Sequence, residues 1–402
     1  MNKKYKKKIL FVGASAAQVP PIKYAKEQGH YVIACDKNKN SEGFKYCDES
    51  HTISTTDKKK IFEISKKSQI DGIVTYVSDT ASPTVSYVAK KLNLRGLPIK
   101  AVNTLVYKNL FRKFLKKNNF NYPKFKVFDS KKNVEKFIDK VGFPLIIKPI
   151  DSSGSKGVTK VRKKNLVNKA ISEALNYSKK KKFIVEKIIE RKSFQVAGDG
   201  FVINKKLVFR CWGDEHFNVK LNGLITIGET YPSVHHENKF RIVHKETQRI
   251  IDLLGITNGA LNFDFIFDKN DNLYFFEIAP RNGGALIPEL IQKSTNVNLI
   301  KYTVDTALGI NLKKLSLKKC KGYWASFMVH STKKGIYKNL YISKKTKSQL
   351  IQSEIFVKKG DSVKEYANAQ HNLGNLILKF KNQKEMLSLF ENPEKYIKVK
   401  VN

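Results

Sequence analysis

The stretch GALNFDFIFDKNDNLYFFEIAPRNGG, residues 259–284, carries the reading that decides this fold. It contains two apolar, aromatic-rich runs on either side of a turn at Asp268 to Asn272. Such runs read as the strands of a β-hairpin. If the hairpin is symmetric about its turn, Asp264 lies opposite Glu277 and Asn262 lies opposite Ala279. Directly opposed residues share a face, with Cβ atoms roughly 4.5–5.5 Å apart. Two carboxylates that close repel each other, and a hard divalent cation with oxygen ligands removes the conflict. Arg281 follows at once, placed to neutralise a phosphoryl group in transfer. Gly283 and Gly284 then let the backbone approach closely. The competing reading is an exposed polar hairpin face.

Two further motifs precede the hairpin. In FPLIIKPIDSSGSKGVTKV, an apolar strand ends on Lys148, and the loop Ser152-Ser153-Gly154-Ser155-Lys156-Gly157 follows. Glycines let backbone amides turn towards an anion, and serines add hydroxyl donors. The G-x-x-x-x-G-K-[ST] pattern is absent, so this is not a Walker loop. A flap over phosphates and an ordinary hairpin turn both remain open. The run FIVEKII at 183–189 reads as a strand whose backbone offers donors and acceptors to an adenine edge; an ordinary strand with solvated charges is the alternative.

Outward from these motifs the chain alternates. Short apolar runs at 9–13, 31–35 and 72–76 flank helical stretches, a pattern that predicts a parallel sheet with right-handed crossovers. MNKKYKKK before ILFVGASAA imitates a signal peptide, but the apolar run is short and reads better as a buried first strand. Asp36 and Asp79 follow strands, where such a sheet places ligands, although turn or N-cap roles account for them equally. The turn GASAAQ lacks G-x-G-x-x-G. A helix is expected over 106–119, with a domain boundary near 105. Strands are expected at 143–149, 158–161 and 183–189, and again in YWASFMV, EIFVKKGDSV and NLILKF. A lysine-rich linker is expected over 313–319.

Composition narrows the function classes. The 402 residues are 41% hydrophobic, enough for two or three globular domains. The net charge of +41 rests mostly on lysine, with only eight arginines. Nucleic-acid readers favour arginine forks, so a lysine-rich solvated surface is preferred and no nucleic-acid partner is expected. Cys35, Cys47, Cys211 and Cys320 are widely spaced, which argues against disulfides or zinc and fits a reducing cytoplasm. No run is long enough to span a bilayer.

In this order the three motifs resemble ATP-grasp enzymes, above all carboxylate–amine ligases and carbamoyl-phosphate-synthase-like proteins. The resemblance covers about residues 5 to 310. It implies an α/β and α+β fold: a pre-ATP-grasp Rossmann-like domain at 1–105, a two-lobed ATP-grasp domain at 106–311, and a small C-terminal α+β domain at 312–402. Carried over by position, Lys108 and Lys148 are the phosphate lysines and Ser152 to Gly157 the flap, with Ser153, Gly154, Ser155, Lys156 and Gly157 on the nucleotide. Glu186, Lys187, Ile188 and Ile189 form the adenine linker. Asp264 and Glu277 are the metal ligands, and Arg281 is the arginine of the E-x-N-x-R signature, catalytic together with Lys148.

Two positions depart from the family pattern. Ala279 stands where a third metal ligand is usual, with Asn262 as the substitute. Ser193 stands where a ribose-binding Glu is usual, with Glu190 nearby. The implied cofactors are ATP and Mg²⁺, two ions, with Mn²⁺ an acceptable replacement. The implied reaction makes an acyl phosphate from a small-molecule carboxylate, which an amine then converts to an amide, with ADP and phosphate released. A homodimer is left open, and substrate contacts are expected from Asp79 and the 212–236 stretch, where His216, His235 and His236 carry little weight. The alternatives are a bicarbonate-activating carboxylase or carbamoyl-phosphate type, a non-catalytic ATP-binding protein, and a nucleic-acid binder.

Overall fold

A computed structural model describes residues 5–218, 221, 223–310 and 315–402. Residues 313 and 314 of the expected linker, and 219, 220 and 222 of the expected substrate stretch, lie outside the described residues.

The N-terminal runs form the strands Lys8–Val12, Tyr31–Asp36 and Gly72–Val74, and all pair in parallel. A fourth strand, Glu49–Thr52, joins the edge in parallel. Its sequence, ESHT, has no apolar run and only half-buried alternate positions, so periodicity gives it no signal. Asp36 takes the turn role: its carboxylate accepts from the amides of Ala14 at 2.9 Å and Asn38 at 3.0 Å.

The helix expected over 106–119 is shorter, Lys108–Lys117, and a separate helix Ile99–Val106 precedes it. The break is Tyr107, whose extended backbone (φ −90°, ψ 112°) ends one helix and opens the next. Lys108 therefore sits at a helix start, with its side chain free to reach the loop after Lys148.

Two sheets flank a cleft. The smaller has the order Phe125–Phe128, Phe183–Lys187, Leu145–Pro149, Thr159–Val161 and is antiparallel. The larger has eight strands, and Leu273–Ala279 and Gly259–Phe267 form one end. Next come Gln195–Ile203, Lys206–Phe217 and Thr226–Tyr231. The strands Tyr323–Val329, Gly374–Phe380 and Leu350–Ile355 complete the same sheet. The C-terminal region from residue 315 is thus partly continuous with the large lobe, and its strands Gly335–Ile342, Ser362–Val363 and Ile397–Val401 form a sheet of their own.

One face of the large sheet is apolar. Phe263, Phe265 and Phe267 alternate inward against Trp212, Phe240 and the helix Glu237–Leu254. That helix buries Phe240, Val243, Thr247, Ile250, Ile251 and Leu254, the i, i+3, i+4 spacing of one stripe, and ends on Gly255 at φ +66°. Burying each such aromatic or aliphatic side chain contributes roughly 1.5–3 kcal/mol. Because strand side chains alternate, fixing the phenylalanines in this core drives Asn262 and Asp264 onto the opposite face.

Candidate active site

The hairpin has the expected register: Asp264 pairs with Glu277 and Asn262 with Ala279. Beyond Asp264 the register shifts, because Phe265 pairs with Phe275 and leaves Phe276 as a bulge. Asp264 has no hydrogen-bond partner among the described residues, whereas Glu277 lies 3.5 Å from Lys108 Nζ. Burial, and then the Glu277 charge, push the Asp264 carboxyl well up. Burial acts on Glu277 too, but Lys108, Arg281 and Lys148 outweigh it and hold that carboxyl down. The like-charged pair is therefore asymmetric, and a cation between the two would relieve it.

Arg281 is held from two sides. It donates to Asp79 through Nε at 2.7 Å and Nη2 at 3.1 Å, and through Nη1 to Asn262 Oδ1 at 2.7 Å and to the Asn282 carbonyl at 2.9 Å. Asp79, on the loop after the strand Gly72–Val74, is thus an ion-pair partner of Arg281 rather than an N-cap. The Asn262 amide nitrogen donates to Asp199 Oδ1 at 2.9 Å and the Gly198 carbonyl at 3.2 Å. Its oxygen faces Arg281, so in this arrangement Asn262 orients the guanidinium. Asp199 also accepts from the Gly283 amide at 2.8 and 3.0 Å, and burial pushes its carboxyl up to about 6. Gly198 is required beside it: at φ +133°, an added Cβ would meet the Cys211 carbonyl at 2.3 Å.

The phosphate side converges as well. Lys108 Nζ donates to the Ser152 carbonyl at 2.8 Å, and Lys148 Nζ lies 2.6 Å from Glu186 Oε2. Burial lowers Lys148 to about 8, while Glu186, opposed by burial but flanked by Arg112 and Lys148, is held down to about 2. The Glu186 side chain therefore anchors Lys148. Of the linker amides, Lys187 N donates to the Lys124 carbonyl at 2.9 Å and Ile188 N to the Pro144 carbonyl at 3.2 Å. Those of Ile189 and Glu190 have no partner among the described residues. Lys187 Nζ is spent on the Phe143 and Gly142 carbonyls, at 2.6 and 3.3 Å. The Glu190 side chain is solvent-exposed and pairs with Lys269 at 2.5 Å, and Ser193 makes no hydrogen bond among the described residues.

The Ser/Gly loop lies across the cleft. Ser155 Oγ donates to the Leu224 carbonyl at 3.0 Å, and the Gly154 carbonyl accepts from Ala369 N at 3.2 Å. Ser155, Gly154 and Gly157 all have positive φ, and Lys156 is half-buried, its ammonium destabilised by burial, Lys37 and Lys179. Beyond Asp264, the same sheet face carries Glu215 and Glu229, directly opposed. Glu215 accepts from Gln195 and Thr226; Glu229 accepts from the Tyr231 hydroxyl at 2.6 Å and is pushed up to about 8 by burial. His216 is buried, stacked on Phe390 at 4.1 Å, with burial lowering it to about 3. His235 hydrogen-bonds the Phe194 carbonyl at 3.2 Å, and His236 occupies the N-cap position of the helix Glu237–Leu254 without a side-chain cap hydrogen bond.

Residues 107–285 match the family model of the ATP-grasp domain. That stretch is similar to an ATP-grasp domain. The chain is 25% identical over 318 residues to formate-dependent phosphoribosylglycinamide formyltransferase of Prochlorococcus marinus (strain NATL1A), covering 77% of this chain and 79% of that one. It is 25% identical over 276 residues to the carbamoyl phosphate synthase large chain of Thermoanaerobacter pseudethanolicus, covering 68% of this chain but only 24% of that much longer protein. In fold it is similar to an L-amino acid ligase from Bacillus licheniformis, with TM-score 0.81 and 18% identity over 99% of this chain and 100% of that one. The α/β and α+β architecture expected from sequence is the one these likenesses show.

Several residues of this candidate site escaped the motif reading. Arg112 carried a weak signal, one helical turn after Lys108. Asp199 sits between two glycines in Gly198-Asp199-Gly200, a mark of close backbone approach. Glu215 and Glu229 had no local mark, because their opposition depends on strand pairing. All four cysteines are free, and among the described residues no helix is long and apolar enough to cross a membrane.

Proposed function

We infer that this chain is an ATP-dependent ligase that activates a small-molecule carboxylate and joins it to an amine, releasing ADP and phosphate. The observation that carries this reading is the Asp264–Glu277 opposition, set on one sheet face with Lys108, Lys148 and Arg281 around it. Of the two relatives above, one is named as a formate-dependent formyltransferase and the other as a carbamoyl phosphate synthase chain, names in keeping with this reading.

The residues fit the groups the reaction needs. Among the described residues no cluster of three or more acids, histidines or cysteines forms a metal site. Asp264 and Glu277 therefore offer a partial shell, of the kind Mg²⁺ completes with phosphate oxygens and water. Bound there, Mg²⁺ supplies charge neutralisation between the phosphates, two ions being the expected number and Mn²⁺ a substitute. Lys108 and Lys148 bind phosphate oxygens. The backbone at Ile189 and Glu190 offers its unpaired amides to the adenine edge. Arg281, fixed by Asp79 and Asn262, orients the carboxylate and the phosphoryl group in transfer. The flap from Ser152 to Gly157 excludes water, which would otherwise hydrolyse the acyl phosphate. Positioning and charge neutralisation are the main demands of phosphoryl transfer.

The test is phosphate release from ATP over a matrix of small carboxylates and amines, with bicarbonate as a separate arm. Release that requires both a carboxylate and an amine supports ligation. Release with bicarbonate alone moves the assignment to the carboxylase or carbamoyl-phosphate class. MgATP binding without turnover in any arm leaves a nucleotide-binding protein. The cytoplasm is the compartment that four free thiols fit.

A further inference from the structure

Two cations share the carboxylate of Glu186. Lys148 Nζ takes Oε2 at 2.6 Å, and Arg112 Nε donates to Oε1 at 2.8 Å. Arg112 lies on the helix Lys108–Lys117, one turn after Lys108, and is completely buried. Its Nη1 reaches the carbonyls of Phe276 at 2.9 Å and Phe275 at 3.4 Å. Phe276 is the bulged residue of the hairpin, immediately before Glu277. One guanidinium thus spans the small-lobe strand that anchors Lys148 and the large-lobe strand that carries the metal ligand.

We propose that Arg112 is a positioning residue for phosphate and metal binding: it offsets the charge of Glu186, so that Lys148 stays available to phosphate, and it fixes the bulge that aims Glu277. This rests on the ATP-site reading above. Charge counting carries the first half. Lys148 and Glu186 alone make a closed, neutral pair, whereas Arg112 brings the buried cluster to a net charge of one positive unit. Geometry carries the second half, because a bulge leaves carbonyls unpaired and turns the following side chain. Stability explains the residue poorly. A buried ion is costly to desolvate, apolar replacements are often neutral, and Arg112 Nη2 has no hydrogen-bond partner among the described residues.

The test measures equilibrium binding of MgATP and of adenosine to the full chain, in wild type, Arg112→Met and Arg112→Lys, with a melting curve for each. Arg112→Met is expected to weaken MgATP on the order of tenfold, the effect of one lost charge near the phosphates at intermediate dielectric, and to leave adenosine unchanged. Arg112→Lys is expected to recover MgATP affinity. It should still need more Mg²⁺ for half-maximal binding, because an ammonium does not span both the carboxylate and the carbonyls. Equal losses for MgATP and adenosine, or no loss for either, overturn the proposal. Should Arg112→Met not fold, a Mg²⁺ requirement in Arg112→Lys equal to wild type overturns it. A wild-type chain that binds adenosine no less tightly than MgATP refutes the ATP-site reading itself, which is a different result from a variant that behaves like wild type.

Discussion

Replacing Asp264 by Asn separates what the acid pair costs the fold from what it contributes to function. Opposed residues of an antiparallel pair have Cβ atoms about 5 Å apart. At an effective dielectric near 20, two unit charges at that distance repel by about 3 kcal/mol. Lys108, 3.5 Å from Glu277, and Arg281 offset part of this, so a net relief of about 1–2 kcal/mol is expected when one charge is removed without metal. For a domain of this size that is a rise of a few degrees in the melting midpoint. With MgATP the order reverses. A ligand at one hundred times its dissociation constant adds about 2.7 kcal/mol, and Asp264→Asn loses that gain because Glu277 alone holds the ion poorly. Differential scanning fluorimetry with and without Mg²⁺ and ATP reads both, and phosphate release reads turnover. A variant that melts no higher than wild type without metal, yet keeps the MgATP shift, refutes the metal assignment.

Three other outcomes follow from the same geometry. Asp79→Ala strips Arg281 of its bidentate partner while leaving Lys108 and Lys148 alone; kcat should fall on the order of a hundredfold with little change in the ATP KM, and leaving a largely buried guanidinium with only Asn262 and the Asn282 carbonyl, and no carboxylate partner, should cost about 3 kcal/mol. Gly157→Ala places a Cβ at φ +71° and 3.0 Å from Pro149 and Tyr177, a strain of about 1–3 kcal/mol; the flap should close poorly, raising the ATP KM and the share of ATP hydrolysed without product. His216 is lowered by burial from 6.5 to about 3, so its contribution to stability is full above pH 6.5 and fades as pH falls towards 3. Between pH 7.5 and pH 5 this amounts to about 2 kcal/mol, and His216→Phe, which keeps the stack on Phe390, should show that much less acid destabilisation in urea titrations.

How much of the site the sequence discloses depends on how local each feature is. The Asp264–Glu277 pairing was legible because hairpin register follows from turn position alone, and the structure keeps it despite the bulge at Phe276. Lys148 was legible because an apolar strand ends on it. Asp79 was not, because nothing near it in the chain announces Arg281, two hundred residues on. Glu186 lies on the strand that FIVEKII announces, but its side-chain partners, Lys148 and Arg112, come from other elements and leave no mark near it in the chain. Glu190 sits close to Ser193 in sequence, and in space its side chain is at the surface, paired with Lys269, a partner that nothing local in the sequence announces.

The departure at Ala279 gains meaning from this. Its cross-strand neighbour Asn262 presents its oxygen to Arg281 and its nitrogen to Asp199, so the residue best placed to replace a missing metal ligand already orients the arginine. The two roles compete for one amide oxygen. On the proposed metal reading, giving Asn262 to Arg281 leaves Asp264 and Glu277 as the protein ligands among the described residues, with nucleotide oxygens needed to finish the shell. The metal and the nucleotide should therefore bind as a unit, with Mg²⁺ alone shifting the melting midpoint far less than Mg²⁺ with ATP. A full shift by Mg²⁺ alone would mean that Asn262 turns to the ion and Arg281 is released.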